Sequence, residues 1–363
     1  MSLEVGIVGL PNVGKSTLFR ALTKVQAEVA NYPFCTIDPN VGVVPVRDAR
    51  LDRIVELVEP ERTVPATLQM VDIAGLVAGA SRGEGLGNQF LGHIRQVQAL
   101  AHVVRCFKDD NVIHVTGQPD PLGDVEVIQT ELTLADLEQV ERRLEKATRQ
   151  SKVGKGDKLE LAACEKLLAH LNSGKLARTV ELDQEEWGTV GDLNLLTSKP
   201  YFYVANVSEQ GLQHPEPFEQ QLRQRAEAEG VEVIPICAQV EAELAEMDDE
   251  DAQLFMTELG IAEAGLARVI RTGYSLLQQI TFFTAGKQEV RAWEIRGQTA
   301  APQAAGRIHT DFEKGFIRAE VFHFRDLDEL GTEANVKDAG RWRLEGRDYI
   351  VQDGDIVHFR FNV

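Results

Sequence analysis

The feature that most constrains this chain is a glycine-rich turn near its start. The turn reads Gly-Leu-Pro-Asn-Val-Gly-Lys-Ser over residues 9–16 and fits the pattern G-x-x-x-x-G-K-[ST]. It follows the strand-like run Leu3–Val8 and precedes the helix-like run Thr17–Lys24, whose apolar residues include Leu18, Phe19 and Leu22. A strand, such a turn and a helix place backbone N–H groups around phosphate oxygens. The order therefore predicts an α/β domain that binds a nucleoside triphosphate.

The residue types in this turn predict separate tasks. Lys15 is expected to reach the outer phosphates, where it binds nucleotide and assists catalysis, and the hydroxyl of Ser16 is expected to bind Mg²⁺. The full set predicted to line the nucleotide in this turn is Asn12, Val13, Gly14, Lys15, Ser16 and Thr17.

A second motif lies downstream. The apolar strand Thr67–Val71 ends at Asp72-Ile-Ala-Gly75, which has the pattern D-x-x-G. Asp72 is expected to hold Mg²⁺ and the Gly75 N–H to sense the γ-phosphate. Because this motif accompanies the turn at 9–16, Thr36 becomes the candidate third Mg²⁺ ligand, with a simple turn hydroxyl as the alternative.

Three runs carry a family resemblance: residues 9–17, Asn-Tyr-Pro-Phe-Cys-Thr-Ile-Asp-Pro at 31–39, and Asp-Ile-Ala-Gly-Leu-Val at 72–77, followed by Gly79, Gly83, Gly85 and Gly87. Together they resemble the YchF subfamily of the Obg-related P-loop GTPases, and the likeness extends across essentially the whole chain. The resemblance implies a P-loop G domain, an inserted antiparallel coiled-coil hairpin of helices and a C-terminal ubiquitin-like β-grasp (TGS) domain. It also implies a translation-associated protein.

The base-reading segment departs from the usual N-K-x-D. Strand Tyr201–Ala205 leads into Asn206-Val207-Ser208-Glu209, so a Val replaces the Lys that covers guanine, and Glu209 is one methylene longer than the Asp that reads it. Loss of a hydrogen-bonding pair relaxes selectivity steeply. The same departure marks the YchF subfamily, which prefers ATP, so ATP is expected over GTP. Asn206, Val207 and Glu209 should border the base, with Cys237 and Ala238 after strand Val231–Ile236 supplying a backbone contact.

The usual hydrolytic glutamine is missing. Leu76 occupies the position after D-x-x-G, and leucine does not hydrogen-bond water. His114 is the candidate within the chain for orienting that water, although a loop histidine with no role is the more common case. Asn12 is a candidate ligand for K⁺, as in some relatives with Asn at this position.

Charge is distributed unevenly. The formal net charge is −19, which argues against nucleic-acid binding by the whole surface. Between Arg142 and Lys158, however, seven Lys or Arg and two Asp or Glu give 7 − 2 = +5. These residues lie between two runs with helical spacing, one with Leu137, Val140, Leu144 and Ala147 and the other with Leu161, Cys164, Leu168 and Leu171. A helical hairpin with a basic tip that contacts RNA is predicted, and a solvated helix face is the alternative.

The domain boundaries predicted from these patterns are residues 1–122 and 199–277 for the G domain, 123–198 for the helical insertion and 278–363 for the TGS domain. In the last segment, Ile280–Thr284 and Val290–Ile295 are predicted to pair as a hairpin. A helix near Gln303–Asp311 should follow, and then strands Ile317–Phe324, Tyr349–Gln352 and Ile356–Phe361. Charge in this segment is nearly balanced, so RNA or ribosome binding by it is implied by the resemblance.

These expectations combine into an ATP-hydrolysing switch that binds the ribosome or ribosomal RNA through the hairpin tip and TGS domain. A GTPase of ribosome assembly and a nucleotide-binding module with little turnover are the alternatives. Four cysteines without paired spacing indicate a reducing cytosol. With no leader-like start and no apolar run of about 18 residues, we expect a cytoplasmic, monomeric protein with no membrane contact.

Overall fold

The computed structural model describes residues 3–27, 40–73, 86–109, 118–154 and 156–362. The chain divides into two compact units. The first comprises Met1–Gly42 and Gln69–Val269, and the second comprises Val43–Leu68 and Ile270–Val363. The three-part division predicted from the sequence remains a prediction.

The strands within the described ranges are β1 Glu4–Val8, β2 Val41–Pro45, β3 Arg62–Val64, β4 Thr67–Asp72, β5 Ala99–Arg105, β6 Tyr201–Asn206, β7 Val233–Ile236, β8 Gln279–Ala285, β9 Glu289–Arg296, β10 Phe316–His323, β11 Arg343–Glu345 and β12 Asp355–Phe361. The helices there are α1 Lys15–Ala27, α2 Ala49–Val58, α3 Leu86–Gln96, α4 Pro121–Lys152, α5 Lys158–Asn172, α6 Gln184–Val190, α7 Glu209–Gln213, α8 Pro217–Glu229, α9 Ala238–Leu244, α10 Asp249–Glu258, α11 Gly265–Leu276, α12 Ala301–Ile308, α13 Thr310–Lys314, α14 Phe324–Leu330 and α15 Glu333–Asp338.

The nucleotide-binding half is built on a sheet of order β2-β4-β1-β5-β6-β7. Strand β1 pairs in parallel with β4 and β5, and the parallel pairing continues through β6 to β7. Strands β5 and β6 are buried at every residue. Full burial suits the inner strands of a parallel sheet, which is covered on both faces. The parallel arrangement brings the ends of β1, β4, β6 and β7, where the sequence motifs lie, to one edge of the sheet.

The helical insertion is asymmetric. Helix α4 has 32 residues and α5 has 15, so the two match only over the C-terminal part of α4. That part packs on α5 and α6 through a core of Val140, Ala163, Cys164, Leu167, Leu171, Ala177, Val190, Leu193 and Leu195. The predicted stripes are confirmed at Val140, Ala147, Cys164 and Leu171, while Ala163 and Leu167 were missed. A hairpin joined by the short turn after Lys152 is present, and α6 adds a third layer to it.

The return of the insertion to the sheet is fixed by a buried carboxylate. Asp136 on α4 is fully buried and accepts from the backbone N–H groups of Leu196 and Thr197 at 2.7 and 2.8 Å. The Thr197 hydroxyl donates to it at 2.7 Å. Burial raises the pKa of Asp136, and these donors oppose the rise. The contacts hold residues 196–197 against the middle of α4.

The second unit has a mixed sheet of order β11-β10-β12-β8-β9-β3 with α12 packed on it, which is the β-grasp architecture. The β8–β9 hairpin and β10 confirm the sequence prediction, as does a helix near Gln303. The predicted strand at Tyr349–Gln352 is wrong, because only Ile350 forms a bridge there, to Ala300. Strand β3 comes from the N-terminal third of the chain and pairs in parallel with β9. Its preceding helix is held by Arg50, which bonds Asp353 at 2.7 Å.

No helix in the described part of the chain combines the length and the apolar character needed to cross a membrane.

Candidate functional site

The phosphate loop at residues 9–16 depends on two glycines that lie against other elements. A Cβ at Gly9 would lie 2.5 Å from the carbonyl oxygen of Val103, so the loop passes directly over β5. A Cβ at Gly14, where φ is +104°, would lie 2.3 Å from the side-chain nitrogen of Asn206. Any larger residue at either position would displace the loop. Asn12 is exposed and has a left-handed backbone with φ of 62°, which asparagine tolerates better than most residues.

Lys15 is held inside this loop. Its ammonium donates to the carbonyl oxygens of Gly9 and Leu10 at 2.8 and 2.7 Å, and the residue is 7% exposed. Burial lowers the pKa of Lys15 to about 8, and the charge of Asp72 opposes the change. The carbonyl groups of the loop therefore fix the position of the Lys15 ammonium.

Asp72, the last residue of β4, supplies the complementary carboxylate. Burial raises its pKa, and Lys15 opposes the rise. Among the described residues, one of its carboxylate oxygens (Oδ1) is buried without a hydrogen-bond partner. Such an atom is costly unless something pairs with it. Ser16 is exposed in the first turn of α1, so its hydroxyl is open to solvent.

These residues fit Mg²⁺, which prefers oxygen ligands and keeps several waters and phosphates around it. The described residues hold no group of three or more His, Cys, Asp or Glu side chains that would bind a metal by themselves.

Asn206 connects the phosphate loop to the start of α9. Its side-chain amide donates to the Val13 carbonyl oxygen at 2.9 Å and accepts from the Ala238 N–H at 3.1 Å. Asn206 is buried, and these two bonds engage both ends of its amide group. The contact of Asn206 with the base stays a prediction. What the structure shows is that Asn206 braces the backbone of the phosphate loop against the start of α9.

The remaining base-site candidates lie around the start of α9. Cys237 and Ala238 are buried, and burial raises the pKa of the Cys237 thiol, with a smaller contribution from Glu209 in the same direction. Glu209 itself is exposed in the first turn of α7, whereas Val207 is buried. A small apolar cluster of Cys237, Val240 and Leu244, with parts of α10, supports this corner. The fold thus brings Gly14, Asn206, Ala238 and Glu209 to one corner of the unit.

Four predicted site residues, Thr36, Gly75, Leu76 and His114, lie outside the described residues. A buried arginine at the end of β5 was missed by sequence reasoning. Arg105, the last residue of β5, is 1% exposed and donates to the carbonyl oxygens of Phe107 and Asp109 at 3.2 and 3.0 Å. It fixes the chain just after β5. The signal in the sequence was an arginine at the end of an apolar strand.

The basic segment Arg142–Lys158 contains two kinds of cation. Arg143 is 22% exposed and bonds Glu160 at 2.5 Å, Asp192 at 3.0 Å and the Thr189 carbonyl oxygen at 3.3 Å. Arg142 and Arg149 are 72% and 79% exposed, and each pairs with a glutamate one turn back on α4. Lys146, Lys152 and Lys158 are also exposed. Arg143 therefore holds the insertion together, and the five other cations of the segment that the structure describes face solvent; Lys155 lies outside the described residues.

Two family models match separate parts of the chain. One, described as a 50S ribosome-binding GTPase, matches residues 4–153, and YchF-GTPase_C, described as a protein of unknown function (DUF933), matches residues 279–362. The chain is 55% identical to "Ribosome-binding ATPase YchF" of Haemophilus influenzae, with all of both chains covered. The chain belongs to the YchF family.

Other YchF relatives agree. "Ribosome-binding ATPase YchF" of Bacillus subtilis is 54% identical over the whole of both chains. The solved structure of the Schizosaccharomyces pombe YchF GTPase superposes with a TM-score of 0.90 at 40% identity, covering 99% of this chain and 98% of that one. Membership of the YchF family places the chain among the P-loop nucleoside triphosphatases and confirms its fold: a P-loop α/β domain, an inserted helical hairpin and a C-terminal β-grasp domain.

Proposed function

We propose that the protein binds and hydrolyses ATP and acts as a switch on the ribosome. The observation that carries the proposal is the prepared phosphate site, in which Lys15 is positioned by loop carbonyls while a buried Asp72 oxygen has no hydrogen-bond partner among the described residues. Bacterial YchF relatives carry the name ribosome-binding ATPase.

The choice of ATP rests on the base-reading corner. Asn206 uses its amide on Val13 and Ala238, so it has little left with which to select a base. Val207 is buried and offers no cation to cover a guanine. The exposed carboxylate of Glu209 is an acceptor that suits the exocyclic amino group of adenine, and Cys237 and Ala238 supply backbone groups.

Mg²⁺ would be held by Ser16 and Asp72, with Thr36 as the third ligand, and when bound it neutralises developing charge on the phosphates. Lys15 and the backbone N–H groups of residues 12–17 orient the triphosphate, and Gly75 contacts its γ-phosphate. His114 orients the attacking water, because Leu76 has no polar group to do so. Asn12 adds a site for K⁺, which a comparison of hydrolysis in K⁺ and Na⁺ buffers would test.

Ribosome contact is proposed for the exposed cations of the basic segment and for the C-terminal β-grasp domain. Exposed lysines and arginines bind phosphates by releasing counterions, without needing a shaped pocket. A protein with this task works in the cytoplasm, and we propose that it does so as a monomer.

Nucleotide selectivity is the first test. Dissociation constants for ATP and GTP, each with Mg²⁺, should be measured in one buffer by titration calorimetry. Tighter binding of ATP is expected. Tighter binding of GTP would overturn the base assignment and support a GTPase of ribosome assembly, a reading that the name of the S. pombe relative favours.

Turnover is the second test. Phosphate release over many cycles should occur in the wild type and disappear in Lys15→Ala. A His114→Ala variant should keep nucleotide affinity and lose hydrolysis; unchanged hydrolysis would remove His114 from the mechanism. If the wild type releases no phosphate even with ribosomes, the protein is a nucleotide-binding module, as the apolar Leu76 would allow.

For the hairpin, reversal of charge at Arg149, Lys152 and Lys155 should weaken co-sedimentation with ribosomes in a salt-sensitive way. Lys175, which is exposed on the same insertion outside the basic segment, gives the matched control when it is changed to Glu. Sedimentation unchanged by the triple reversal would show that the basic segment is only a solvated face.

A further inference from the structure

A groove of about 510 Å³ lies between α3 and α4, beside the basic segment. Leu91, Gly92 and Arg95 line it from α3, and Ala135, Glu138, Gln139 and Arg142 line it from α4. Leu91 and Ala135 are buried and form its floor, whereas Glu138 and Arg142 are exposed at its rim. The groove therefore has an apolar floor and guanidinium groups on both walls.

This groove continues into a stripe of exposed side chains on α4. The stripe consists of Arg142, Lys146 and Arg149 on α4 and of Val153 directly after its last residue. Their spacings of four, three and four residues place them on one face of the helix. Arg142 belongs to both features. From Arg142 to the end of α4 the stripe extends roughly 15 Å at 1.5 Å per residue. We call these four residues the α4 stripe.

We propose that the groove between α3 and α4 binds the phosphodiester backbone of RNA and extends the surface of the α4 stripe towards the nucleotide-binding half of the first unit. The inference rests on the proposed ribosome-binding function and names the part of the RNA that would be recognised and where. It adds Arg95, which lies outside the basic segment identified from the sequence.

The charges in the groove favour a phosphate. Within the described ranges Arg142 pairs with Glu138, one turn back on the same helix, and such an exposed pair is weak enough to be exchanged for a phosphate. Arg95 bonds the neutral amide of Gln139, and the nearby carboxylate of Asp136 already accepts three hydrogen bonds from residues 196–197. Gln139 in turn donates to the Leu193 carbonyl oxygen at 2.6 Å, which fixes the groove wall.

The position of the groove gives it a further consequence. Helix α3 begins at Leu86, directly after the segment that starts with the D-x-x-G motif. The other end of α3 is held by the half-buried Lys199, whose ammonium donates to the carbonyl oxygens of Arg95 and Val97. RNA in the groove would therefore touch the helix that follows a nucleotide-sensing segment. If nucleotide binding moves α3, the two ligands are coupled, and the coupling is reciprocal.

The experiment uses the full chain with purified ribosomes and, separately, a short fluorescent RNA stem-loop. Variants Arg95→Gln and Arg142→Gln test the groove, Lys152→Gln tests the tip, and Lys175→Gln is the control for loss of one exposed cation. Arg142 is so exposed that its variant folds regardless of the outcome at Arg95. Affinity is measured over a range of salt concentrations with ATP and with ADP bound.

Each groove variant is expected to weaken RNA and ribosome binding about three- to tenfold and to reduce the slope of log affinity against log salt by about 0.7–0.9, one phosphate contact each. Arg95→Gln should also reduce the difference between the ATP and ADP states. Lys175→Gln should match the wild type.

Two results would contradict the inference while leaving the proposed function intact. In the first, both groove variants bind like the wild type while Lys152→Gln binds weakly. In the second, poly-glutamate competes with the RNA as well as unlabelled RNA does, which would assign the groove to an acidic polypeptide. A wild type that binds neither ribosomes nor RNA would instead remove the proposed function and the groove with it.

Discussion

The phosphate loop and the α4 stripe both present positive charge to a polyanion, but the protein holds the two in opposite ways. In the loop, Lys15 is almost fully buried and is tied to Gly9 and Leu10, and the loop itself is braced by Asn206. In the stripe, Arg142, Lys146 and Arg149 stand in solvent, and their ion pairs are confined to neighbouring turns of one helix.

Burial of one cation and exposure of the others give the two regions different kinds of selectivity. A buried, interlocked site is prepared for one geometry, so losing one member should disturb several others. A row of solvated charges recognises phosphate at almost any geometry, so its members should act independently and be screened by salt. Substitutions in the two regions should therefore differ in the size of their effects and in whether those effects add.

The largest effect is expected for Lys15→Ala. Removal of the ammonium bonded to the loop carbonyls should lower kcat/KM for ATP by at least about 10³-fold, since charge stabilisation of a transferring phosphoryl group supplies rate factors of this size. Phosphate release at saturating ribosomes provides the measurement. Near-normal turnover in this variant would place the hydrolytic site elsewhere.

Asp72→Asn should separate stability from function. One oxygen of this carboxylate is buried with no hydrogen-bond partner among the described residues, and burial raises the pKa of Asp72. Neutralising the carboxylate should therefore leave the free energy of unfolding of the protein unchanged or raise it by about 1–2 kcal/mol. Affinity for Mg-ATP should fall about 10- to 100-fold, because a charged ligand for the cation is lost. Urea unfolding and calorimetry measure the two quantities. A large loss of stability would show that Asp72 has a structural role.

Asn206→Ala should cost about 2–4 kcal/mol of unfolding free energy, because it leaves the Val13 carbonyl and the Ala238 N–H without their partner in a buried place. Nucleotide affinity should fall together with stability. In the double variant with Lys15→Ala, the loss of binding free energy should differ from the sum of the two single losses. Asn335→Ala is the control, since Asn335 also donates to one carbonyl but is exposed. Equal effects of the two changes would refute the bracing role of Asn206.

Two adjacent arginines test the division within the basic segment. Arg143→Ala should destabilise the protein by about 1–3 kcal/mol, because it removes the bonds to Glu160, Asp192 and Thr189. The half-buried carboxylate of Glu160 then loses the guanidinium that pairs with it. Arg142→Ala should change stability by no more than about 0.5 kcal/mol. Thermal unfolding of both variants decides the point, and the reverse order would invalidate the distinction between a structural and a solvent-facing cation.

The smallest single effects are expected at two exposed lysines of the basic segment, Lys146 in the α4 stripe and Lys152 at the end of α4. Lys146→Gln and Lys152→Gln should each weaken RNA binding about threefold at physiological salt, and their free-energy changes should add within about 0.3–0.5 kcal/mol. Fluorescence titration of both single variants and the double variant provides the comparison. Strong non-additivity would mean that the cations form a shaped site like the phosphate loop.

The sequence predicted the parts of the molecule that obey local rules. The strands and helix around residues 9–16 followed from apolar periodicity and glycine placement, and Val140, Cys164 and Leu171 of the insertion followed from helical spacing. The family resemblance supplied the architecture of the three modules. The residues at the phosphate site itself stood in a motif with a known physical task.

What the sequence did not reveal depends on contacts between distant residues. The two hydrogen bonds of Asn206, to Val13 and to Ala238, require three separate elements to meet. No residue spacing in the sequence predicts such a meeting. Strand β3 joins β9 across more than half of the chain, so local patterns did not place it in the second sheet. Arg143 and Arg142 are indistinguishable in sequence, and only packing against Glu160 and Asp192 separates them.

The central claim is that ATP hydrolysis at the phosphate loop is linked to ribosome contact elsewhere on the chain. The most direct test is steady-state phosphate release with ATP and with GTP at equal concentrations, each with and without purified ribosomes. We expect faster phosphate release from ATP than from GTP, and a further increase with ribosomes that Lys15→Ala abolishes. Faster phosphate release from GTP, or a rate that ribosomes do not change, would contradict this link.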